Sequence, residues 1–501
     1  MSSTGRALLR GGSFRLISLA TSLGLQMAML PYVLKHLGDH LYGLWAVIGA
    51  ATGYYGLLDL GVSSAVTWFV AKERGRNDLV SAANYVAASK RVFFWSAVAV
   101  CVLSVAIAVV GSGFIASPED RVLFFKTTLI AGLGIGLSFP SAVYSGLLVA
   151  DLRHDVIAAM GFGSTILRAG LVFFALAAGG QVVALATINA SISVAFALAT
   201  IIAAKRLCQP LPAVKTPPAG TLRALFGYAG YTLVSQIADF IRTKVHPITI
   251  SAFLRLADVT PYSIQDRLQG IVVDACSACL SMLTPVFSRQ EGQGDRGAIL
   301  RTYLLAYKIS CYVGSFILGI LLIVAPHFIQ VWLGPGHDVI VQLLYLRAAG
   351  SLCGIIQMPS VNLLFGSNEN RSYAIINSIH AAVTLGSTVM LIQRWGLPGV
   401  VIGVSATTMI MKTFVQAAVA GRVVGISFRD MHLKHTLPNL ARVIPFLLAT
   451  GFLAHLWLNP SWFRLTTFLA VVGPTFAAYI FYLGFSRPER DLFLRSARLK
   501  K

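Results

Sequence analysis

Residues 92–110 read VFFWSAVAVCVLSVAIAVV, nineteen positions without a charged side chain. As a helix rising 1.5 Å per residue, such a run is about 28 Å long, close to the roughly 30 Å hydrocarbon layer of a bilayer. Comparable runs recur from one end of the chain to the other. Hydrophobic residues make up 56% of the 501 positions and charged ones 12%, and mean hydropathy is +0.74. Soluble domains carry about 25% charged residues, so these values exclude a soluble multidomain protein. They predict an all-α polytopic membrane protein.

Hydropathy predicts about fourteen spans, at 12–34, 41–70, 84–110, 121–149, 156–178, 181–204, 222–251, 261–288, 300–325, 339–365, 372–393, 397–420, 437–458 and 463–485. The Pro-rich stretch KRLCQPLPAVKTPPAG (205–220) reads as a linker. The expected organisation is an N-terminal six-helix lobe (1–206), a cytoplasmic linker (207–220), a second six-helix lobe (221–424), and two extra helices with a basic tail (425–501). The formal charge of +21 reflects topology, not nucleic-acid binding. With the N-terminus inside, the 40 basic residues divide into 25 in cytoplasmic segments, 5 in outer loops and 10 within spans. This is the positive-inside asymmetry, and it predicts cytoplasmic termini. The first span, lacking a small-residue cleavage site, reads as a retained helix. Cys276 and Cys279 form a C-x-x-C within an apolar helix without further ligands, so they read as packing residues; no metal or cofactor is expected.

The lobes echo one another. Pro31 and Pro247, Tyr42 and Tyr262, Phe69 and Phe287, Gly75 and Gly292, Asp78 and Asp295, and Tyr85 and Tyr303 follow the same order at an offset of about 217 residues. Six spans per repeat is an even number, so the repeats are expected to be parallel, with a binding site between them.

The segment LPYVLKHLGDHLYGLWAVIGAATGYYGLLDLGVSSAVTWFVAKERGRND (30–78) resembles the opening of the Wzx-type polysaccharide flippases, above all in its LG…YGLW and GYYGLLDLG portions; VTPYSIQDRL and TPVF are a looser match. These flippases belong to the multidrug/oligosaccharidyl-lipid/polysaccharide exporter superfamily, with the multidrug antiporters and lipid II flippases. The resemblance implies a multi-pass protein of the bacterial inner membrane. It would carry an undecaprenyl-diphosphate-linked oligosaccharide to the periplasmic leaflet for O-antigen, capsule or exopolysaccharide synthesis, beside glycosyltransferase and polymerase machinery, with proton or sodium as a coupling ion.

Ten cations facing lipid would cost roughly 25–35 kcal/mol on the insertion scale, more than the about 5–15 kcal/mol margin of a fold. Lys90, Arg91, Lys126 and Lys412 lie near span ends and can snorkel. Arg168, Arg242, Arg267, Lys308 and Arg347 are the expected lining of an anion-favouring cavity. Only Asp59, Asp239, Asp266 and Asp274 oppose them, a cationic surplus suited to a diphosphate or an acidic sugar. In QIADFIRTKVHPITI (236–250), Asp239, Arg242 and His246 share one helix face. Pro247 should bend the helix just beyond them. Asp59, Asp239, Asp266, His246 and Pro247 are the expected coupling and gating positions. The glycines of GLGIG (132–136) and GFGS (161–164) read as helix-packing positions, and Tyr54 and Tyr55 either as donors of hydroxyls to a sugar or as structural parts of the GYYGLLDLG segment.

No nucleophile–base constellation or Walker sequence is visible, so the chain reads as a transporter rather than an enzyme. Two alternatives stand beside the flippase. A cation-coupled multidrug antiporter of the same fold would favour carboxylates in its cavity. A membrane-embedded polysaccharide polymerase or ligase would carry a large outer loop, whereas the longest outer loop here is about 326–338. Topology is testable directly. Reporter fusions after Gly113 or Pro335 should be active only outside the cytoplasm, and fusions after Gly292 or Lys501 only inside; a cytoplasmic signal at Pro335 would refute the two-lobe topology.

Overall fold

The computed structural model describes residues 3–491 except 60, 61, 114, 116, 152, 215, 281, 282 and 368. Among the described residues every regular element is helical, and ten stretches are long and apolar enough to cross a bilayer. The protein is a multi-pass, all-helical membrane protein. The basic tail beyond 491, Lys215 of the linker and the Cys279 side chain lie outside the described residues.

Two compact units divide the chain, Met1–Thr260 and Pro261–Lys501. The first holds α1 (Ser3–Gly53), α2 (Val62–Gly75), α3 (Leu79–Gly113), α4 (Pro118–Ser138), α5 (Ser141–Ala150), α6 (His154–Ala177), α7 (Val182–Leu207), α8 (Ala219–Lys244) and α9 (His246–Phe253). Helix α10 (Leu256–Leu280) runs across the division. The second unit continues with α11 (Leu283–Gly292), α12 (Arg296–Leu333), α13 (Asp338–Ile356), α14 (Met358–Gly366), α15 (Asn370–Ile410), α16 (Ala417–Val424), the single turn α17 (Phe428–Asp430), α18 (Leu437–Trp457) and α19 (Trp462–Leu483).

Helix breaks follow backbone chemistry. Gly38 (φ 70°, ψ 170°) bends α1, and Gly396 (φ 58°, ψ −139°) bends α15, conformations open to glycine because it lacks a Cβ. Arg371–Val424, one apolar stretch of 54 residues, contains both expected spans, 372–393 and 397–420, and the bend at Gly396 falls between them. The expected spans 222–251 and 261–288 are not among the ten apolar stretches. Helices α8 and α9 are separated at Val245, and α10 carries Asp258, Asp266, Arg267 and Asp274.

In the first unit α4 packs between α3 and α7, and α2 packs on α3, α5 and α8. GLGIG explains how α4 fits. A Cβ on Gly134 would stand 2.6 Å from the Ala190 Cα on α7, and one on Gly136 would stand 2.8 Å from the Cys101 sulfur on α3. The glycines of GFGS, Gly161 and Gly163, each meet nothing within 4 Å; they are not packing positions, because no neighbouring element approaches α6 at either one. The linker leaves α7 tied to this unit. Arg74 of α2 pairs with Asp151 and donates to the Gln209 carbonyl at 3.0 Å, while Cys208 and Leu211 pack against the α2–α5 core.

In the second unit α12 packs against α13, α18 and α19. Phe316 stacks on Phe476 with centroids 4.0 Å apart. The buried Tyr312 hydroxyl bonds Asn439 at 2.9 Å and the Gly484 carbonyl at 3.1 Å, which locks both terminal helices onto α12.

Gly134→Ala should destabilise the protein by roughly 1–3 kcal/mol, the usual cost of overpacking, because the obstructing atom is backbone. Gly163→Ala should be neutral. Thermal unfolding of the purified variants in detergent checks the contrast, and equal melting temperatures would refute it.

Candidate functional site

A cavity of about 740 Å³ opens within the first unit, lined from α2, α3, α4, α5, α6, α7 and the 3-10 turn Tyr54–Asp59. Asp59 ends that turn. One of its oxygens accepts from the Ser63 amide (3.1 Å) and hydroxyl (2.8 Å), capping the start of α2 by satisfying an N–H that has no helical partner. Among the described residues its other oxygen has no protein partner. Arg168 comes from α6 and lines the same cavity. Among the described residues it forms no ion pair.

Backbone geometry brings α5 to the cavity. Pro140, at the start of α5, separates it from α4, and Gly146 lets α5 approach α2, since a Cβ there would stand 3.1 Å from Val66. Hydroxyls line the cavity on several sides. Those of Ser138 and Ser164 bond their own helices at 2.7 and 2.8 Å. Those of Ser145 and Ser193 have no protein partner among the described residues. Phe139 and Phe196 contribute apolar ring surface.

The sequence reading anticipated Asp59 and Arg168 but passed over the serines. Their signal was present: Ser138, Ser141 and Ser145 recur at i, i+3 and i+7, Asp59, Ser63 and Thr67 at i, i+4 and i+8, and Ser164 stands four before Arg168. Tyr54 and Tyr55 do not line the cavity. Tyr55 is 1% exposed, and Tyr54 packs on Phe240 with centroids 4.5 Å apart.

The remaining expected residues lie elsewhere. Asp239 and Arg242 form an ion pair at 2.8 Å. The buried His246 donates from Nε2 to the Arg242 carbonyl at 2.8 Å. The break falls at Val245, inside the polar stripe and not beyond it. Pro247 sits in the first turn of α9, and its ring and missing N–H disturb the preceding turn. In the second unit, Asp266 and Arg347 both act electrostatically on Tyr262. Arg267 is exposed and forms no ion pair among the described residues, and Asp274 is likewise exposed.

Lys308 is committed to the C-terminus. Its ammonium reaches Glu489 at 2.8 Å and lies 5.2 Å from the Phe485 ring centroid. Lys412 does not snorkel: it is 8% exposed and donates to Gln416 at 2.6 Å, within the π-helical segment Met411–Gln416. Gln416 continues to the Gln357 carbonyl (2.9 Å), and Gln357 to the Tyr307 hydroxyl (3.3 Å). Among the described residues no group of three or more His, Cys, Asp or Glu could hold a metal ion.

The family described as polysaccharide biosynthesis protein matches residues 8–291. An uncharacterized membrane protein, EpsK, from Bacillus subtilis (strain 168) is 21% identical over 509 residues, covering 98% of each chain. Among solved structures, the lipid II flippase MurJ in an inward closed conformation superposes with a TM-score of 0.72 at 15% identity, covering 93% of this chain and 98% of that one. An inward-facing multidrug resistance transporter of the MATE family, in the MOP superfamily, gives 0.64 at 17% identity, covering 80% and 98%. A MOP superfamily transporter from Pyrococcus furiosus, for which a binding pocket of reverse polarity is described, gives 0.60 at 17%, covering 83% and 96%. The chain has the fold of these structures.

The Lys308–Glu489 contact has a pH signature. Burial alone would raise the Glu489 carboxyl, but hydrogen bonds from Lys308 and Ser486 outweigh it and hold the group below its ordinary value of 4.5. A pKa lowered on folding stabilises above the unfolded value, and the stabilisation disappears as pH falls through the folded one. Hydrogen exchange of 486–491, corrected for intrinsic rates, should therefore show protection at pH 7 that fades below about pH 4.5. Lys308→Ala should weaken the protection at pH 7 and flatten this dependence; an unchanged profile would refute the link.

Proposed function

We propose, from the premise that the chain belongs to the polysaccharide biosynthesis protein family, that it is a secondary transporter. Its cargo is an undecaprenyl-diphosphate-linked oligosaccharide, moved by alternating access from the cytoplasmic to the periplasmic leaflet of a bacterial inner membrane. The observation that carries the reading is the cavity of the first unit, which presents Arg168, Asp59 and hydroxyls that have no protein partner among the described residues, within an apolar helical bundle. Polar groups in a span are expensive unless they face water or a ligand. An intramembrane cavity so equipped suits a polar headgroup whose lipid tail remains in the bilayer.

The finer architecture is part of the proposal: fourteen spans in two parallel six-span repeats, a linker, two further helices, and both termini in the cytoplasm. What supports the repeat is the spacing of helix boundaries. The ends of α2 and α11 at Gly75 and Gly292, the starts of α3 and α12 at Leu79 and Arg296, and the starts of α5 and α14 at Ser141 and Met358 each stand 217 residues apart. So do the positive-φ glycines Gly179 and Gly396.

In this reading Arg267 and Arg347 receive the diphosphate, and the Asp239–Arg242 pair beside the break at Val245 acts in gating. Two negative charges leaving a negative cytoplasm gain roughly 4.6 kcal/mol per 100 mV, so the membrane potential drives export. Asp59, Asp239 or Asp266 would bias return of the empty carrier by binding a proton or sodium. In this cavity Arg168 offsets Asp59, so a cationic drug would find no net negative charge there, and the antiporter reading gains no support from it.

In oriented proteoliposomes carrying a fluorescent undecaprenyl-diphosphate glycan, an imposed inside-negative potential should accelerate outward movement without an ion gradient. Arg267→Ala should slow it about tenfold or more, the loss of one charge-assisted contact, and Arg267→Lys should restore part of the rate. Transport that follows only an ion gradient would assign the driving force to the carboxylates, and no transport at all would refute the function.

A further inference from the structure

The cavity of the first unit differs in charge from a diphosphate site. It presents one guanidinium, Arg168, and one carboxylate, Asp59, so its formal charge is zero. A diphosphate placed there would find a single cation and would face the Asp59 oxygen that Ser63 leaves unused. Repulsion between like charges in a medium of low polarity makes that placement unfavourable.

The same groups match another part of the cargo. A sugar hydroxyl both donates and accepts a hydrogen bond, as a serine hydroxyl does. Asp59 offers an acceptor, Arg168 a fork of donors, and Ser145 and Ser193 hydroxyls that do either and have no protein partner among the described residues. Phe139 and Phe196 provide ring faces against which the C–H face of a sugar can pack. A volume of about 740 Å³ falls within the range of small-molecule sites. Resting on the transport function proposed above, we infer that this cavity is the subsite for an uncharged sugar of the lipid-linked glycan, and that the diphosphate is held elsewhere.

The test uses the full chain in lipid nanodiscs and two probes: undecaprenyl diphosphate without sugar, and undecaprenyl diphosphate carrying a single neutral hexose. The wild type should bind the glycosylated lipid more tightly. Ser145→Ala combined with Ser193→Ala should weaken the glycosylated lipid about tenfold while leaving the bare lipid unchanged; Arg168→Gln should do the same. The serine variants break no hydrogen bond among the described residues, so loss of fold is not expected from them. Ser193→Thr, which keeps the hydroxyl, should bind in the Ser145→Ala background as tightly as Ser145→Ala alone and serves as the control. Equal weakening of both lipids by Arg168→Gln would place the diphosphate in the cavity and overturn the inference alone. Unchanged affinities in every variant would likewise remove the cavity from cargo binding. A wild-type protein that binds neither lipid would overturn the transport reading itself, and this inference with it.

Discussion

Inside hydrocarbon a backbone amide has no water to bond, so a chain that crosses the bilayer must satisfy its own peptide groups. Helices do this, and every place where a helix is interrupted needs an explanation. At Gly38 and Gly396 the explanation is a backbone conformation that a side chain would obstruct. At Pro140 and Val245 it is a proline in or at the start of the following helix. Ser138 and Ser141, flanking Pro140, return their hydroxyls to the carbonyls of Ile135 and Ser138. The break that opens the wall of the cavity therefore supplies donors to the carbonyls beside it.

The constraint also governs how helices meet. In lipid there is little hydrophobic gain from bringing two apolar helices together, so close packing has to supply the attraction. Gly134 and Gly136 let α4 lie between α3 and α7 with backbone nearly touching backbone. The second unit uses the same device where Gly350 of α13 meets the Ser405 backbone of α15, and adds aromatic rings and the buried hydroxyl of Tyr312 to join α12 to α18 and α19. A polar bond in the unit's interior thus fixes helices that apolar surface alone would leave free to slide.

Much of this was legible in the residues. Length and apolarity gave the class, Pro247 the break near 245, and the rarity of charge in the spans pointed to Asp59 and Arg168. The serines were harder to read, because Ser is common in membrane helices and usually bonds its own backbone, as Ser138 and Ser164 do; only packing reveals that Ser145 and Ser193 do not. Lys308 looked like Arg168 in sequence, a lone cation in an apolar run. What separates them is a partner 181 positions away, and no local pattern records a contact of that range. Lys412 and Gln416 are four apart and were readable as a pair in principle, but burial of that ammonium depends on Gln357, far away in the chain.

The distance between Lys308 and Glu489 also orders events during synthesis. At about 5–20 residues per second, the ribosome needs roughly 10–40 s to reach Glu489 after it has made Lys308. Throughout that interval α12 holds an ammonium whose eventual carboxylate does not yet exist. Water, lipid phosphate or the insertion machinery must accommodate the charge until Glu489 emerges. The final helices thus complete an earlier one, and a nascent chain truncated before 489 lacks the counter-charge that the finished protein gives Lys308.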